Sequence, residues 1–504
     1  MATDYILAWN DVAIEANRVS HTDGNKEQNG PALSSRAIAI VHLAMYDAYA
    51  GVANNPANLP HYDSATPAAP TGASTQAAVA GAAFWSLMSL YPSQLEYFNS
   101  QLAMLGDPSN PGHAYGQKIA QKILKDREDD PPTSQGKYRP KNGRGKHRLD
   151  PDNLGQGVYG PLYGTSKAFA VKARHDLNAP PLDNAEYLKA FRQVRAKGIK
   201  PELAGDLPDN LQQDRRTAEE TLIGIYWGYD GSAGLGTPPR FYNQIVRKIA
   251  LAKGNTEADN ARLFALVNAA LGDAGIFAWE QKFRYEFWRP VVAIREHDTS
   301  LGPLDMGSPM PAADQISKDA DPAWLPLGAP ASNSASPGVM TAQATFPSAN
   351  AQFGRVKNFT PNFPAYPSGH ATFGAAALHI LRLFYKVPAG DTKPDKILKG
   401  LKNPGTSDDI FFVSDEFNNK TQDNNATLRP LHRHAFKEGV WGMITENALS
   451  RIFLGVHWSF DAFAVKGDGT PDLTKKVGGV RLGVDIAEDI FAYGGGKAPK
   501  KSTA

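Results

Sequence analysis

The sequence predicts an all-α fold: a helical bundle protein in which two four-helix bundles pack together, with long irregular loops. The first observation is that apolar residues recur at spacings of three and four over long segments. The second is that no segment sustains the alternation of apolar and polar residues typical of a half-buried strand. The third is that Pro, Gly and charged residues concentrate between the helical segments, where they interrupt helices.

Two helices are expected in the N-terminal part of the chain. Ser34 or Ser35 could cap a helix that ends near Gly51. Ser74 or Thr75 could begin a second, alanine-rich helix. Small residues break its apolar run, so a buried helix is favoured over a membrane span.

Two longer helical patterns follow, over Glu257–Trp288 and Phe436–Val465. A boundary near residues 205–215 divides an N-terminal helical half, residues 1–210, from residues 211–504, which carry the candidate chemistry. One continuous domain is the alternative.

Irregular stretches cover residues 129–164 and 301–350. The first contains a basic run for which a solvated loop is favoured over a binding patch: Lys137, Arg139, Lys141, Arg144, Lys146 and Arg148. The second is rich in Pro, Ala, Ser and Asp and predicts a surface insertion. The basic tail with Lys497, Lys500 and Lys501 is expected to be disordered.

Composition narrows the functional class. The formal net charge is +2, so no attraction to nucleic acid or to an anionic membrane is expected. The absence of cysteine excludes disulfides, thiolate metal sites and cysteine nucleophiles. No signal peptide or membrane-spanning run is visible, so a soluble protein is expected. Its compartment (cytoplasmic, or secreted by a leaderless route) and its oligomeric state, monomer or dimer, stay open.

The first candidate segment, KFRYEFWRP, runs from Lys282 to Pro290. Lys282 and Arg289 are seven residues apart, so on one helix they share a face, about 10 Å apart along the axis. Pro290 is expected to end that helix just after Arg289. The two cations could hold a tetrahedral oxyanion, although for this segment alone a solvated amphipathic face is favoured.

The second segment, FPAYPSGHATFG, spans Phe363 to Gly374. Ser368 lies where the N-cap of the following helix is expected. Its hydroxyl, the N–H of Gly369 and the helix dipole would point at one spot that favours an anion. His370 lies within reach of that spot and could transfer protons. An ordinary helix cap with an incidental histidine is the alternative.

The third segment is SRIFLGVHWSFD, residues 450–461. Arg451 supplies a planar fork of donors that suits an oxyanion. His457 offers an imidazole that could ligate a metal centre or attack phosphorus. Asp461 follows one helical turn later and could fix the tautomer of His457. It could instead orient His370 or cap a turn.

Together the segments resemble the signature shared by vanadium haloperoxidases and the acid phosphatases of the PAP2 superfamily. The similarity is closest to fungal-type vanadium chloroperoxidases and extends beyond the motifs. It includes GYDGSAGLGTPPRFYNQIVR, ARLFALVNAALGDAGIFAWE, PLGAPASN and the N-terminal YILAWNDVAIEANRVSHT. It covers most of the chain and is weakest between residues 100 and 200.

The resemblance implies a vanadate (orthovanadate) cofactor bound to His457 through a ring nitrogen. It also implies that the oxyanion is held by six residues: Lys282, Arg289, Ser368, Gly369, His370 and Arg451. His370 is expected to be the acid–base group at the apical oxygen, and Lys282 to polarise the peroxide. Asp230 is expected to pair with Arg451 and to assist catalysis, and Asp461 to support His457.

The implied activity is oxidation of chloride or bromide by hydrogen peroxide to hypohalous acid, with vanadium as a Lewis acid that undergoes no redox change. Trp279 and Phe363 are expected to line the halide side. Bromide-preferring relatives resemble one another in having histidine where Phe363 stands, so this residue favours chloride. Phosphate is expected to compete for the site.

An acid phosphatase with His457 as the nucleophile is the main alternative, because it shares the same core residues. A non-catalytic oxyanion-binding protein would leave His370 and His457 unexplained. Ser368 follows Arg289 by 79 positions, a connection that looks longer than in the fungal enzymes, which leaves substrate access open. Among the other histidines, His42 is expected to be a satisfied core residue, and a surface role is favoured for His432 and His434.

Overall fold

The computed structural model of the protein describes residues 3–132, 138–182, 184–296, 320–333 and 357–504. Within these residues the regular secondary structure is helical, and β structure is limited to isolated bridges between loops. The all-α class predicted from the sequence is confirmed.

Fifteen α-helices lie in the described residues. They are α1 Tyr5–Ser20, α2 Gly30–Ala53, α3 Thr75–Leu90, α4 Leu95–Leu105, α5 Pro111–Asp126, α6 Ala185–Gly198, α7 Asp209–Gln212, α8 Ala218–Tyr226, α9 Pro238–Lys253, α10 Glu257–Tyr285, α11 Pro290–Glu296, α12 Gly369–Phe384, α13 Gly439–Phe453, α14 Ser459–Ala462 and α15 Gly479–Tyr493.

The main helices form two groups of four. Helices α1, α2, α3 and α5 pack together in the N-terminal half, and α10, α12, α13 and α15 pack together in the C-terminal half. Helix α10 also packs against α2, so it joins the two groups. The boundary predicted near residue 210 stays a prediction.

Helix α10 is the central element. A capping box between Thr256 and Asp259 begins it, and Glu286, in the left-handed region at φ 52°, ends it. Among the described helices, it alone is long and apolar enough to span a membrane, but 94% of its most apolar window is buried inside the fold. It is therefore packed like the core helix of a globular protein.

A buried polar network ties α10 to its neighbours. Asn10 donates to Nε2 of His42 (3.0 Å) and to Asn243 (3.0 Å), and Asn243 exchanges hydrogen bonds with Asn268. The Nδ1 of His42 donates to the carbonyl of Ile38 (2.8 Å). His42 is thus a satisfied core residue, as predicted.

Helix starts were predicted with mixed success. Ser74 caps α3 by accepting from the N–H of Ala77 at 3.2 Å, as expected. Helix α2 begins at Gly30, earlier than predicted, and its N-cap is Asn29. Ser34 and Ser35 therefore lie inside the helix, and the prediction that either caps it was wrong.

The segment Phe436–Val465 is not one helix. Helix α13 ends at Phe453, and Gly455 adopts a left-handed φ of 74°. A β-carbon there would lie 2.6 Å from the carbonyl oxygen of Gly198, so only glycine fits this close crossing. The resulting turn places His457 outside a helix, just before α14.

The basic loop is solvated, as predicted, and it is also anchored. The side chains of Lys141 and Lys146 are 61% and 39% exposed and pair with Glu286 at 2.7 and 3.3 Å. Lys137 and most of the predicted insertion at 301–350 lie outside the described residues.

The C-terminal tail is packed, because its basic residues find partners. Lys501 forms ion pairs with Asp63 (3.1 Å) and Asp126 (2.5 Å). Ser502 donates from its backbone N–H to the carbonyl of Phe169 at 2.8 Å. The expectation of a disordered tail was wrong, since these contacts fasten it to the loop at 168–171.

Asp273 on α10 holds the same loop from the inside. Its fully buried carboxylate accepts hydrogen bonds from the N–H groups of Phe169, Ala170 and Val171 at 2.5, 2.8 and 2.9 Å. The loop between the two helical groups is therefore organised by one carboxylate.

We expect Asp273→Ala to leave these three N–H groups buried without an acceptor, at a cost of about 1–3 kcal/mol for each. The Tm should fall by at least about 3 °C, as measured by differential scanning fluorimetry. Asp273→Asn keeps one acceptor oxygen and should lose less. An Ala variant as stable as the parent would show that the tail contacts alone hold the loop.

Candidate oxyanion site

Two of the three segments identified in the sequence line one cavity of about 180 Å³, and the first segment places Lys282 and Arg289 beside it. Five predicted site residues line the cavity: Asp230, Gly369, His370, Arg451 and His457. Trp279 and Phe363 line its side. Lys282, Arg289 and Ser368 are fully buried beside this region but do not line the cavity.

Lys282 and Arg289 do not share a helix, so that prediction was wrong. Helix α10 ends at Tyr285, and Pro290 begins α11 instead of ending a helix. A backbone pairing fixes the intervening turn: His147 donates to the carbonyl of Glu286 at 2.7 Å, and Trp288 donates to that of Gly145 at 3.0 Å. The loop at 145–147 thereby aims Arg289 at the site.

The guanidinium of Arg289 contacts two of the three segments. Its Nε donates to the carbonyl of Phe363 (2.9 Å), and its Nη1 donates to the carbonyl of Val456 (2.8 Å) and to Nε2 of His457 (3.0 Å). Its Nη2 is buried and has no partner within the described residues. Arg289 thus retains free donor capacity in the site.

These contacts determine the tautomer of His457. A guanidinium can only donate, so Nε2 of His457 must accept and carries the lone pair. The proton is on Nδ1, which donates to Asp461 Oδ2 at 2.7 Å. Burial, and then the charges of Arg289 and Lys282, hold the pKa of His457 well below its usual value. The ring is therefore neutral, as both metal ligation and nucleophilic attack require.

Asp461 performs two of the tasks considered for it. It accepts from Nδ1 of His457 and from the backbone N–H of Trp458 (3.1 Å), where it also begins α14. It contacts His457 rather than His370. Burial raises the pKa of Asp461 to about 7.

Arg451 lies in the last turn of α13 and pairs with Asp230, as expected. Its Nη2 donates to both carboxylate oxygens of Asp230, at 2.7 and 3.0 Å. Its Nε and Nη1 are buried without partners in the described part of the chain. One edge of the guanidinium is thus neutralised, while the rest can still donate to an anion.

Ser368 caps α12, as predicted, with its hydroxyl accepting from the N–H of Ala371. The start of this helix packs beside the indole of Trp279, to which a β-carbon at Gly369 would make an ordinary contact at 3.4 Å. The first turn of α12 therefore brings backbone N–H groups and the helix dipole to the cavity.

His370 presents Nε2 in the cavity region, 4.0 Å from Asp230 Oδ2 and without a hydrogen-bond partner in the described residues. Burial and then the charge of Arg451 hold its pKa well below the usual value, while a hydrogen bond to the backbone of Trp227 opposes this shift. The low pKa leaves the ring neutral, and Nε2 is a ring nitrogen without a partner in the described residues.

Lys282 differs most from the role expected of it. Its ammonium donates to the carbonyls of Pro364 (2.8 Å), Ala365 (2.9 Å) and Pro367 (2.5 Å). It therefore fastens the loop that precedes Ser368. Its predicted contact with the oxyanion stays a prediction.

An aromatic wall closes one side of the cavity. The ring centroids of Trp279 and Phe363 are 4.9 Å apart. Tyr159, which the sequence did not single out, adds a third ring at 5.9 Å from Trp279 and 6.1 Å from Phe363. It lies in the region of weakest resemblance and belongs to no motif, so no sequence signal identified it.

The donor set fits a tetrahedral oxyanion such as vanadate. Two guanidinium groups, nearly inaccessible to solvent, leave three nitrogen atoms without partners: Arg289 Nη2, Arg451 Nε and Arg451 Nη1. Buried donors normally have partners, so this concentration indicates that an anion belongs there. The neutral His457 adds a lone pair suited to vanadium.

Comparison with known proteins points to one family. Residues 1–158 match the family of vanadium chloroperoxidase N-terminal domains, and residues 262–477 match the family's second helical-bundle domain. The vanadium chloroperoxidase of Curvularia inaequalis is 33% identical over 602 aligned positions, which cover 98% of this chain and 90% of that protein.

Two solved structures support the fold. A bacterial vanadium-dependent iodoperoxidase aligns with a TM-score of 0.64 at 16% identity, covering 97% of this chain and 96% of that one. The holo form of a bacterial vanadium-dependent chloroperoxidase aligns with a TM-score of 0.51 at 16% identity, covering 94% and 95%.

We expect an oxyanion to stabilise the protein most at low pH. Burial and then Arg289 hold the pKa of Lys282 well below its usual value, so the folded protein binds fewer protons than the unfolded chain and gains stability as the pH rises. An anion bound beside the cations raises the pKa of Lys282, so the folded protein no longer binds fewer protons than the unfolded chain. The increase in Tm caused by sulfate should therefore shrink from about pH 6 to about pH 9.

Differential scanning fluorimetry with sulfate measures this increase, because the charge of sulfate is constant over this range. Chloride at equal ionic strength serves as the control, and Arg289→Gln should weaken the effect. An increase that is independent of pH, or equal for chloride, would contradict the prediction.

Proposed function

The chain belongs to the vanadium haloperoxidase family, whose cofactor is vanadate, and from this premise we propose that it oxidises chloride and bromide with hydrogen peroxide to hypohalous acid. The observation that carries the proposal is the pair of buried arginines with unpartnered donors beside a neutral histidine. Vanadate, when bound, supplies Lewis-acid activation of peroxide without a change in its oxidation state.

We assign His457 Nε2 as the nitrogen that holds vanadium. Arg289 Nη1 occupies that lone pair at 3.0 Å, so it must turn away when the nitrogen ligates a metal. The guanidinium of Arg289 can then offer both Nη1 and Nη2 as donors to the oxyanion. Arg451, the Ser368 hydroxyl and the Gly369 N–H would complete the cradle, and Asp461 would keep Nδ1 of His457 protonated.

His370 is suited to move protons through Nε2. Its low pKa keeps the ring ready to accept a proton from hydrogen peroxide, and the same atom can return it to the leaving hypohalite. Asp230, 4.0 Å away, would favour the protonated ring during the reaction. One free nitrogen beside one carboxylate supports the acid–base role.

Lys282 contributes in two ways. Its three carbonyl contacts fix the loop from Phe363 to Pro367, and its ammonium lies 5.1 Å from the Phe363 ring centroid. A positive charge next to a dry aromatic wall attracts a halide ion and polarises the peroxide. Trp279, Phe363 and Tyr159 would exclude water there. Desolvation costs more for chloride than for bromide, but it also raises the nucleophilicity of chloride more, which supports chloride as a substrate.

The direct test is to remove bound anions, add orthovanadate, and measure halogenation of a dye with hydrogen peroxide and chloride or bromide. We expect turnover that depends on vanadate and is suppressed by phosphate. Hydrolysis of an aryl phosphate is measured in parallel, with His457→Ala as the control. Efficient phosphate-ester hydrolysis without halogenation would identify a phosphatase in which His457 is the nucleophile.

Halide preference tests the aromatic wall. We expect Phe363→His to lower chloride turnover about tenfold or more relative to bromide, because a polar ring admits water where the apolar ring excludes it. The ratio of kcat/KM values for the two halides measures the change. Tyr163→Phe is a matched control, since Tyr163 packs on Trp279 but does not line the cavity. An unchanged ratio in Phe363→His would contradict the assignment.

A further inference from the structure

The cavity beside His457 is small. Its volume of about 180 Å³ lies below the roughly 300 Å³ at which pockets for drug-sized ligands begin. An organic acceptor of that size therefore does not fit in the cavity. Hypohalous acid formed there meets the side chains of the wall before it meets an acceptor in solution.

The wall offers few groups that hypohalous acid halogenates. The chain has no cysteine, and no methionine is found among the described residues that line the cavity. Six phenyl, phenol and indole rings line it within the described residues: Tyr159, Tyr229, Trp279, Phe359, Phe363 and Phe373. The phenylalanine rings carry no activating group. The two phenols and the indole are thus the electron-rich rings to consider.

The orientation of Trp279 protects its reactive edge. A β-carbon at Gly160 would lie 2.6 Å from Nε1 and 2.9 Å from Cδ1 of the indole, so the pyrrole edge packs on the backbone of this glycine, which does not line the cavity. The benzo edge, with Cζ3 and Cη2, is the part that lies next to Gly369 at the start of α12. Electrophiles attack an indole at its pyrrole ring, so Trp279 presents its less reactive edge to the site.

Tyr229 is protected by burial and stacking. Its ring lies parallel to that of Phe241, at an interplanar angle of 4° and a centroid distance of 4.5 Å, and its hydroxyl donates to Asp415 at 3.1 Å. The residue is fully buried, whereas Tyr159 is only partly buried. Among the electron-rich rings of the described wall, Tyr159 is therefore the one that retains accessible surface.

Tyr159 is held in the wall at both ends. Its hydroxyl donates to the carbonyl of Asn29 at 2.9 Å and accepts from the N–H of Leu33 at 3.2 Å. Its backbone N–H donates to the carbonyl of Asn362 at 3.0 Å. These contacts keep the phenol at the cavity. Burial raises the pKa of Tyr159, so the ring reacts as the phenol and not as the more reactive phenolate.

We propose that Tyr159 is a site of self-halogenation by hypohalous acid formed in the same cavity. The halogen–oxygen bond of the acid breaks, and a carbon–halogen bond forms at a ring carbon ortho to the hydroxyl. The displaced ring proton leaves with the hydroxide as water. The halogen is reduced and the ring carbon is oxidised, so hypohalous acid is the only co-reactant. The proposal rests on the proposed function, which supplies this acid.

The test uses the full-length, vanadate-loaded protein with bromide, hydrogen peroxide and free methionine, which destroys hypobromous acid that escapes into solution. Fragment-ion mass spectrometry locates bromine by its isotope doublet. Tyr163 is the matched control, because it is buried and packs on Trp279 at 6.4 Å but does not line the cavity. We expect about tenfold or more bromine at Tyr159 than at Tyr163, because an oxidant formed in the same cavity reacts at a high effective concentration. Equal bromination of the two residues would overturn the proposal.

Tyr493, a partly exposed residue at the end of α15, reports the oxidant in solution. We expect methionine to suppress bromination of Tyr493 and to leave bromination of Tyr159 within about twofold of its level without methionine. Equal suppression at both residues would overturn the proposal, because the oxidant would then reach Tyr159 from solution. Tyr159→Phe lacks the activating hydroxyl and should lose the bromine at this position. A variant that keeps it would also contradict the proposal.

Bromination of a dye, measured in a parallel sample, separates this proposal from the proposed function. Vanadate-dependent turnover without bromine at Tyr159 would overturn self-halogenation alone. A protein without vanadate-dependent turnover would overturn the proposed function, and self-halogenation with it, because the oxidant would not be formed.

Discussion

The structure depends on one electrostatic constraint: two arginines and a lysine are buried close together, with few carboxylates to balance them. Asp230 pairs with Arg451 and Asp461 with His457, so Arg289 hydrogen-bonds to no carboxylate within the described residues. Buried cations are costly unless an anion accompanies them. The folded protein tolerates the free-energy cost of burying these cations because a tetrahedral oxyanion supplies negative charge and hydrogen-bond acceptors.

Three helix ends satisfy this constraint together. The C-terminus of α10 brings Lys282, the N-terminus of α12 brings a dipole and free N–H groups, and the last turn of α13 brings Arg451. Helix ends can face a cavity because their backbone groups are not all used within the helix. Each cation is then fixed by contacts from a distant segment, as Arg289 is by the loop at 145–147.

The sequence predicted those features of the site that depend on residues close to one another in the chain. The Ser368 cap and the His457–Asp461 pair were predicted from short spacings, and the family resemblance supplied the expected roles. The path from Lys282 to Arg289 was not predictable, because the turn at Glu286 depends on pairing with a loop some 140 positions away. The carbonyl contacts of Lys282 and the position of the Tyr159 ring likewise depend on tertiary contacts.

The most direct test of the account is a crystal structure of the protein with orthovanadate. The account predicts vanadium at His457 Nε2, with Arg289 Nη1 no longer on that nitrogen. It also predicts oxyanion oxygens within hydrogen-bond distance of Arg289 Nη2 and Arg451 Nη1. Vanadate bound elsewhere, or a site in which these donors remain unpartnered beside it, would contradict the claim that the buried cations exist to hold the anion.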